Sequence, residues 1–111
     1  MTNPFAKPSV WGPPAWTFLH SVTMTYPEHP TAEDAENMEK FLDSLGPILP
    51  CKLCRSKYHD YLAQHRPDLR DRDHLVRWMI RLHNSINTRL KKPRLSMAEA
   101  LQKIQNKTHQ E

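Results

Sequence analysis

The second half of the chain contains the stretch Leu75-Val76-Arg77-Trp78-Met79-Ile80-Arg81-Leu82-His83-Asn84-Ser85-Ile86, which decides the fold class. Large apolar side chains recur in it at intervals of three and four residues, the spacing of one face of an α-helix. The pattern predicts a helix over residues 71–90 with one face buried in a core. The predicted apolar stripe consists of Leu75, Trp78, Met79, Leu82, Ile86 and Leu90.

Prolines and capping residues divide the rest of the chain into further helices. Pro13-Pro14 is expected to open the first helix, because proline is tolerated in the first helical turn. Thr31-Ala32-Glu33-Asp34 is a capping sequence for the second helix, and Gly46-Pro47 is expected to end it. No Asn-Gly or Asp-Gly hairpin signal is present. The sequence therefore predicts an all-α fold, a four-helix bundle plus a short fifth helix, with helices over residues 13–26, 31–46, 50–66, 71–90 and 96–104.

Length and composition bound the domain organisation. The 111 residues are 38% hydrophobic and 25% charged, typical of one soluble globular domain. We expect a flexible N-terminal segment over residues 1–10, a folded domain over residues 11–104 and a polar tail over residues 105–111. No apolar run approaches the ~20 residues that span a bilayer, and residues 1–10 lack a secretory signal pattern. We therefore expect no membrane partner and a chain that stays where it is made or enters an organelle by another route.

The net charge of +4 comes from 16 basic and 12 acidic residues. Four basic residues cluster within positions 89–94, and such a patch could bind nucleic acid or a phosphate-bearing cofactor. Elsewhere basic and acidic residues alternate, as in Asp68-Leu69-Arg70-Asp71-Arg72-Asp73. We therefore expect no nucleic-acid partner and keep a small basic interaction module as an alternative function.

The two cysteines, Cys51 and Cys54, are three positions apart. They are too few for a structural zinc site, which has four ligands, so no metal is expected. Pro50 places them in the first turn of a helix, where the helix dipole and the neighbouring Lys52 and Arg55 favour a thiolate. This placement indicates redox chemistry, which needs another protein's disulfide or a bound cofactor as electron acceptor. The alternative is two unrelated buried cysteines that pack as small apolar side chains.

A second group of residues suggests a polar ligand. His83, Asn84 and Asn87 share one side of the predicted fourth helix, beside its apolar stripe. Asparagine is a poor former of helix interiors, so two of them beside a histidine suggest binding. The alternatives are a solvent-facing polar surface or a core histidine. Trp16 and His20 form a similar pair on the first helix, which core packing would also explain.

Taken in order, several motifs resemble the Erv/ALR sulfhydryl oxidases. The similarity covers residues 11–93, most of the chain. It implies an FAD bound within the bundle, a homodimer, oxidation of protein dithiols and reduction of O2 to hydrogen peroxide. The motifs are Trp11-Gly12-Pro13-Pro14-Ala15-Trp16, Leu19-His20, Tyr26-Pro27, Pro50-Cys51-x-x-Cys54, Trp78 and His83-Asn84-x-x-Asn87-x-x-Leu90-x-Lys92-Pro93.

The resemblance also assigns roles to residues. It implies that Cys54 lies next to the flavin and that Cys51 exchanges with substrate. Aromatic rings can stack on flat rings, and asparagine, histidine and lysine can bond polar edges or phosphates. The chain lacks a glycine-rich dinucleotide fingerprint, which argues against a Rossmann-type FAD site. The expected FAD-binding residues are Gly12, Trp16, His20, Tyr58, Trp78, His83, Asn84, Asn87, Leu90, Lys91 and Lys92.

The chain departs from many relatives in its cysteine content. The positions that would align with their structural disulfide are His74 and Met97, and no shuttle cysteine pair is present. This layout resembles the short thiol oxidases of large DNA viruses, which implies the host cytoplasm, with the mitochondrial intermembrane space as the alternative. Electrons would come directly from a protein dithiol or from a separate CxxC carrier protein. A cofactor-free thiol–disulfide carrier remains an alternative function.

Apolar residues off the predicted core stripes suggest self-association. On the first helix these are Trp11, Phe18, Val22 and Met24, and on the second helix Met38 or Leu42 is expected to face outward. Together they predict a two-fold homodimer between these helices.

Overall fold

A computed structural model describes the backbone of residues 3–89 and 96–108, with side chains over residues 3–86 and 96–105. A short 3₁₀ helix, Pro4–Ala6, precedes α1 (Pro8–Met24), α2 (Ala32–Ile48), α3 (Lys52–Gln64), α4 (Arg72–Arg89) and α5 (Met97–Thr108). These ranges contain no β-strand, so the predicted all-α class is confirmed. None of the described helices is long and apolar enough to cross a bilayer.

The predicted start of the first helix at Pro13 is wrong, because α1 begins at Pro8 and contains Pro13 and Pro14 in its interior. Proline disfavours helical backbone in the preceding residue through a clash that involves that residue's Cβ, and Gly12 has no Cβ. The glycine thus eases the passage of the helix into Pro13. Residues 3–10, expected to be flexible, include the 3₁₀ helix and the first residues of α1.

The capping sequence of the second helix behaves as predicted. The Thr31 hydroxyl accepts from the Asp34 N–H at 3.1 Å, and the Asp34 carboxylate accepts from the Thr31 N–H at 2.9 Å. The helix end was predicted two residues early, because α2 continues through Gly46 and Pro47 and ends at Ile48. Proline near the end of a helix removes only one of its last hydrogen bonds, so the final turn survives.

The core joins two helix pairs, α1 with α4 and α2 with α3. The predicted stripe on α4 is buried as expected from Leu75 to Leu82. Ile86 is partly buried and packs against this core, and Leu90 lies outside the described residues. The expectation that Leu42 could face outward is wrong, because its side chain is 0% exposed. The buried core side chains are Leu19, Tyr26, Leu42, Tyr58, Leu62, Leu75, Trp78, Met79 and Leu82.

A second, smaller cluster attaches α5 to the bundle. Val76 and Ile80 on the outer side of α4 are buried against Ala100 of α5. Met24, expected on a dimer surface, packs into this cluster instead, since α1 ends beside it. Residues 105–108, predicted as part of a polar tail, continue α5 to Thr108. The partly buried members of the cluster are Met24, Met97, Leu101 and Ile104.

Candidate active site

The two thiols lie at the N-terminus of α3, as the sequence predicted. Cys51 is the N-cap residue, with an extended backbone at φ −131° and ψ 125°. Its sulfur accepts a hydrogen bond from the Cys54 N–H at 3.2 Å, and its carbonyl accepts from the Arg55 N–H at 2.9 Å. Both cysteines are free thiols and half-buried. The Cys51 sulfur therefore does what a serine or aspartate oxygen does at other N-caps.

The two thiols differ in acidity. Burial raises the pKa of Cys51, but hydrogen bonds from the Cys54 side chain and from the Cys54 and Leu53 backbone, with the charge of Arg55, bring that pKa below its ordinary value. Burial raises the pKa of Cys54 to about 12, helped by its hydrogen bond to Cys51 and by the Cys51 charge. Because the thiolate is the reactive form, Cys51 is the more nucleophilic member of the reduced pair.

A cluster of three rings connects α1 to α4. The Trp16 indole stacks on the His83 imidazole, with centroids 3.9 Å apart and planes 12° apart. His20 Nε2 and His83 Nδ1 lie 3.0 Å apart and share a hydrogen bond across 63 positions of sequence. The structure thus joins two motifs that the sequence could only propose separately. His83 is half-buried between Trp16 and His20, so it does not face solvent freely.

The surroundings of this ring cluster fit FAD. Gly12 is buried one helical turn before Trp16, and a Cβ built on it would meet no atom within 4 Å apart from the adjacent helix backbone. This space, together with the half-buried Trp16, His83 and Asn84, suits a flat heteroaromatic group with polar edges. Trp16 and His83 are in contact, so such a group would lie against the cluster and not between its rings.

Two of the expected FAD-binding residues belong to the core. The Tyr58 hydroxyl donates to the Leu42 carbonyl at 2.6 Å, and the Trp78 Nε1–H donates to the His65 carbonyl at 3.0 Å. Burial raises the pKa of Tyr58, so it remains a neutral phenol. Because their polar atoms bond the backbone, these residues could touch a cofactor only through their ring faces.

The remaining expected site residues fall outside what the structure describes. Asn87 lies on α4, but its side chain is not among the described ones, and Leu90, Lys91 and Lys92 lie outside the described residues. Within the described ranges, no group of three or more histidine, cysteine or acidic side chains could hold a metal ion. Tyr61, which the sequence analysis does not assign to the site, meets the Trp78 ring edge-on, with the ring centroids 6.0 Å apart.

These features define an all-α protein with a redox-competent CxxC pair and a ring cluster suited to a flat cofactor. The family model of the Erv1/Alr family matches residues 13–108. The chain belongs to this family, and the resemblance seen in the sequence is confirmed.

Solved structures agree with this assignment. The crystal structure of the yeast Erv1 core matches with a TM-score of 0.80 and 33% identity, covering 86% of this chain and 80% of that one. The crystal structure of the FAD binding domain of Erv1 from Saccharomyces cerevisiae matches with a TM-score of 0.75 and 36% identity, covering 77% of this chain and 81% of that one.

Curated relatives come from cells and from viruses. The mitochondrial FAD-linked sulfhydryl oxidase of Saccharomyces cerevisiae is 37% identical over 83 residues, which cover 75% of this chain and 44% of the yeast protein. A probable FAD-linked sulfhydryl oxidase of Acanthamoeba polyphaga mimivirus is 38% identical over 102 residues, which cover 89% of this chain and 71% of the viral protein. The chain therefore spans less than half of the yeast relative's length.

Proposed function

We propose that this chain is an FAD-dependent sulfhydryl oxidase that converts a protein dithiol and O2 into a disulfide and hydrogen peroxide. One observation carries the proposal: Cys51 and Cys54 sit at the N-terminus of α3 with opposite shifts in pKa. Buried structural cysteines would not need this asymmetry, whereas thiol–disulfide exchange uses it. Membership of the Erv1/Alr family supports the same conclusion.

The cysteines perform the exchange with substrate. A substrate thiolate attacks the Cys51 sulfur of the oxidised pair, a substrate–Cys51 bond forms, and Cys54 leaves with the electron pair. A second substrate thiolate then attacks the substrate sulfur and releases Cys51 as a thiolate. The low pKa of Cys51 makes it a good leaving group in this second step. The substrate has then lost two electrons, which the reduced pair of cysteines holds.

The bundle holds the electron acceptor. When bound, FAD supplies the two-electron redox chemistry that side chains lack and passes the electrons to O2. Gly12 provides space, the Trp16–His83 stack provides a flat surface, and His20 holds the His83 ring by its hydrogen bond. The further FAD-binding residues in the proposal are Tyr58, Trp78, Asn84, Asn87, Leu90, Lys91 and Lys92.

The visible absorption spectrum and oxygen consumption of the purified chain test this proposal. We expect a bound flavin, and oxygen consumption with dithiothreitol that stops in both Cys51→Ser and Cys54→Ser while the flavin stays bound. Wild-type oxygen consumption by Cys54→Ser would overturn the role of the pair. A flavin-free chain that still exchanged disulfides would instead be a cofactor-free carrier.

The proposal extends to partners and location. The substrate is a protein dithiol, presented directly or by a separate CxxC carrier. A homodimer would form through the groove between α1 and α2, where Phe18 is 59% exposed beside Val22, Met38 and Phe41. We place the chain in the cytoplasm, that of the host for a viral source, with the mitochondrial intermembrane space as the alternative. Fractionation of cells that express a tagged chain decides between them.

A further inference from the structure

Two large apolar side chains are exposed beside the reactive thiols. Ile48, three residues before Cys51, is 74% exposed, and Leu53, between the two cysteines, is 59% exposed. The backbone accounts for their position, because Ile48 ends α2 and Leu53 lies in the first turn of α3, away from the core. Exposed apolar surface next to a reactive group is typical of a surface that contacts a partner.

The segment of sequence that carries these two side chains has a net positive charge. Between residues 44 and 59 the sequence contains no aspartate or glutamate, and its cations are Lys52, Arg55 and Lys57. The Arg55 guanidinium donates to the Leu49 carbonyl at 2.6 Å, which fixes one charge near the thiols, and Lys52 is exposed. The N-terminus of α3 adds the positive end of its helix dipole. The nearest preceding acid, Asp43, is paired with Arg66 at 2.9 Å.

We propose that Ile48, Leu53 and Lys52 form a docking surface for an extended protein segment whose reduced cysteine pair is flanked by large apolar residues and carboxylates. The proposal rests on the proposed function, since it names the substrate that the oxidase prefers. Apolar contact supplies affinity, and the charge of the surface selects acidic segments over basic ones. The same charge opposes a second copy of the chain, which would bring its own cations to this face.

A binding measurement without redox chemistry tests the docking surface. The probe is a fluorescein-labelled peptide in which two serines, two residues apart, replace the cysteine pair and are flanked by leucines and glutamates. Fluorescence anisotropy with the flavin-loaded protein should give an affinity about tenfold higher than for a peptide with lysine in place of glutamate. A peptide in which serines replace the flanking leucines should bind more weakly than the acidic peptide by a similar factor.

Variants of the protein locate the site of binding. Ile48→Ser should weaken the acidic peptide about tenfold, and Lys52→Glu should reverse the preference between the acidic and basic peptides. The matched controls are Phe5→Ser, which removes another exposed apolar side chain, and Lys103→Glu, which reverses an exposed charge on α5. Both controls should bind with wild-type affinity. Equal affinity for all peptides, or equal losses in the controls, would overturn the docking surface.

A kinetic arm separates this proposal from the oxidase assignment. In this arm the peptides carry the cysteine pair, and the measured quantity is the kcat/KM for the acidic peptide divided by the kcat/KM for dithiothreitol. This ratio should be about tenfold lower in Ile48→Ser than in the wild type, and it should decline with rising salt. If the protein oxidises dithiothreitol but does not distinguish the acidic from the basic peptide, the docking surface is overturned and the oxidase assignment stands. If the protein binds the acidic peptide more tightly in anisotropy but does not oxidise dithiothreitol, the oxidase assignment is overturned and the docking surface stands. Loss of a wild-type dimer in Ile48→Ser would show that a second copy covers this face, which also overturns the proposal.

Discussion

At the scale of single residues, the difference between two identical thiols comes from their place in a helix. Cys51 caps α3, and its sulfur accepts a hydrogen bond from the Cys54 N–H. Cys54 lies inside the first turn, where burial raises its pKa. A negative charge on Cys51 is stabilised by these donors, and the same charge opposes ionisation of Cys54. The local backbone thus lowers the pKa of the Cys51 thiol, which favours Cys51 as a leaving group, and raises the pKa of the Cys54 thiol.

Alkylation kinetics should reveal this difference in the reduced protein. Because its pKa is lowered, Cys51 should react with iodoacetamide below the pH range of ordinary thiols. Cys54, with a pKa of about 12, should react slowly at pH 8 and about tenfold faster for each pH unit above it. Short labelling pulses and peptide mass spectrometry measure both rates.

The Cys51→Ser variant is the matched control for this prediction. It removes the Cys51 charge and sulfur, so the Cys54 pKa should fall and Cys54 should be alkylated faster at pH 8 than in the wild type. Equal rates for the two wild-type cysteines across this pH range would contradict the assignment.

The ring cluster predicts how FAD affects stability. His83→Ala removes the imidazole ring that stacks on Trp16 and that shares a hydrogen bond with His20. A ligand that binds only the folded state stabilises it by about 2.7 kcal/mol at a hundredfold excess over its Kd. The increase in Tm on adding FAD should therefore shrink in His83→Ala, measured by thermal unfolding with and without added FAD. His59→Ala, an exposed histidine on α3, should keep the wild-type increase.

The sequence predicted the members of the site better than their arrangement. The CxxC pair is local, so its position at a helix start followed from Pro50 and the helical pattern after it. The contact of His20 with His83 spans 63 positions and depends on how α1 crosses α4, which no local spacing encodes. The hydrogen bond of the Tyr58 hydroxyl to the Leu42 carbonyl likewise depends on how α3 packs against α2, which only the folded chain shows.

At the scale of elements, the contact of α2 with α3 depends on a glycine. A Cβ on Gly46 would lie 2.8 Å from Cδ1 and 3.2 Å from Cε1 of the Tyr58 ring. The ring cannot move aside freely, because its hydroxyl is bonded to the Leu42 carbonyl. The absence of a side chain at this position allows the two helices to approach.

Gly46→Ala should therefore lower the free energy of unfolding by about 1 to 2 kcal/mol, because the cost of overpacking exceeds the gain in helix propensity. Urea unfolding followed by circular dichroism measures the change. Ser44→Ala, at an exposed position on the same helix, should stay within about 0.5 kcal/mol of the wild type. A stabilised Gly46→Ala would show that Tyr58 can shift without cost.

The attachment of α5 centres on the apolar contact of Ala100 with Val76 and Ile80, and we expect one buried charge to break it. Ala100→Asp would place a carboxylate against the buried apolar side chains of Val76 and Ile80. We expect a loss of at least about 2 kcal/mol of stability and of helix content from α5. Lys103→Asp, exposed on the same helix, is the control and should retain the wild-type helix content. Circular dichroism and urea unfolding distinguish the two.

Helix boundaries were the weakest part of the sequence prediction, for a physical reason. Pro47 lies next to the end of α2, where a proline removes few hydrogen bonds, so Gly46-Pro47 does not end the helix before Ile48. Pro13-Pro14 lies in the interior of α1, where Gly12 eases the passage of the helix into Pro13. The interior of α4 was predicted correctly, because a long apolar stripe with helical spacing does not fit the two-residue alternation of a β-strand. The capping box at Thr31 was also correct, because it satisfies specific backbone donors.

At the scale of the whole molecule, the groove between α1 and α2 should decide assembly. Phe18 is 59% exposed at its edge, and its ring meets Phe41 edge-on at 6.4 Å. We expect a homodimer in sedimentation at micromolar concentration, unaffected by reducing agent because the proposed function assigns both cysteines to the reactive pair. Phe18→Glu should shift it to monomer, since a charge would be buried in the interface.

The control for assembly is Phe5→Glu, because Phe5 is 71% exposed on the 3₁₀ helix and away from the groove. This variant should remain dimeric. A wild-type monomer with bound flavin at micromolar concentration would contradict the predicted dimer.

The apolar attachment of α5 also bears on how new copies of the proposed oxidase come into being. An enzyme that required its own product, a structural disulfide, would mature autocatalytically, with a lag until the first active copies accumulated. Here the buried contacts that hold α5 join the apolar side chains of Val76, Ile80 and Ala100, and the proposed function assigns both cysteines of the sequence to the reactive pair. Under the proposed function, the activity of one copy should therefore not depend on a disulfide made by another copy, and it should appear without a lag.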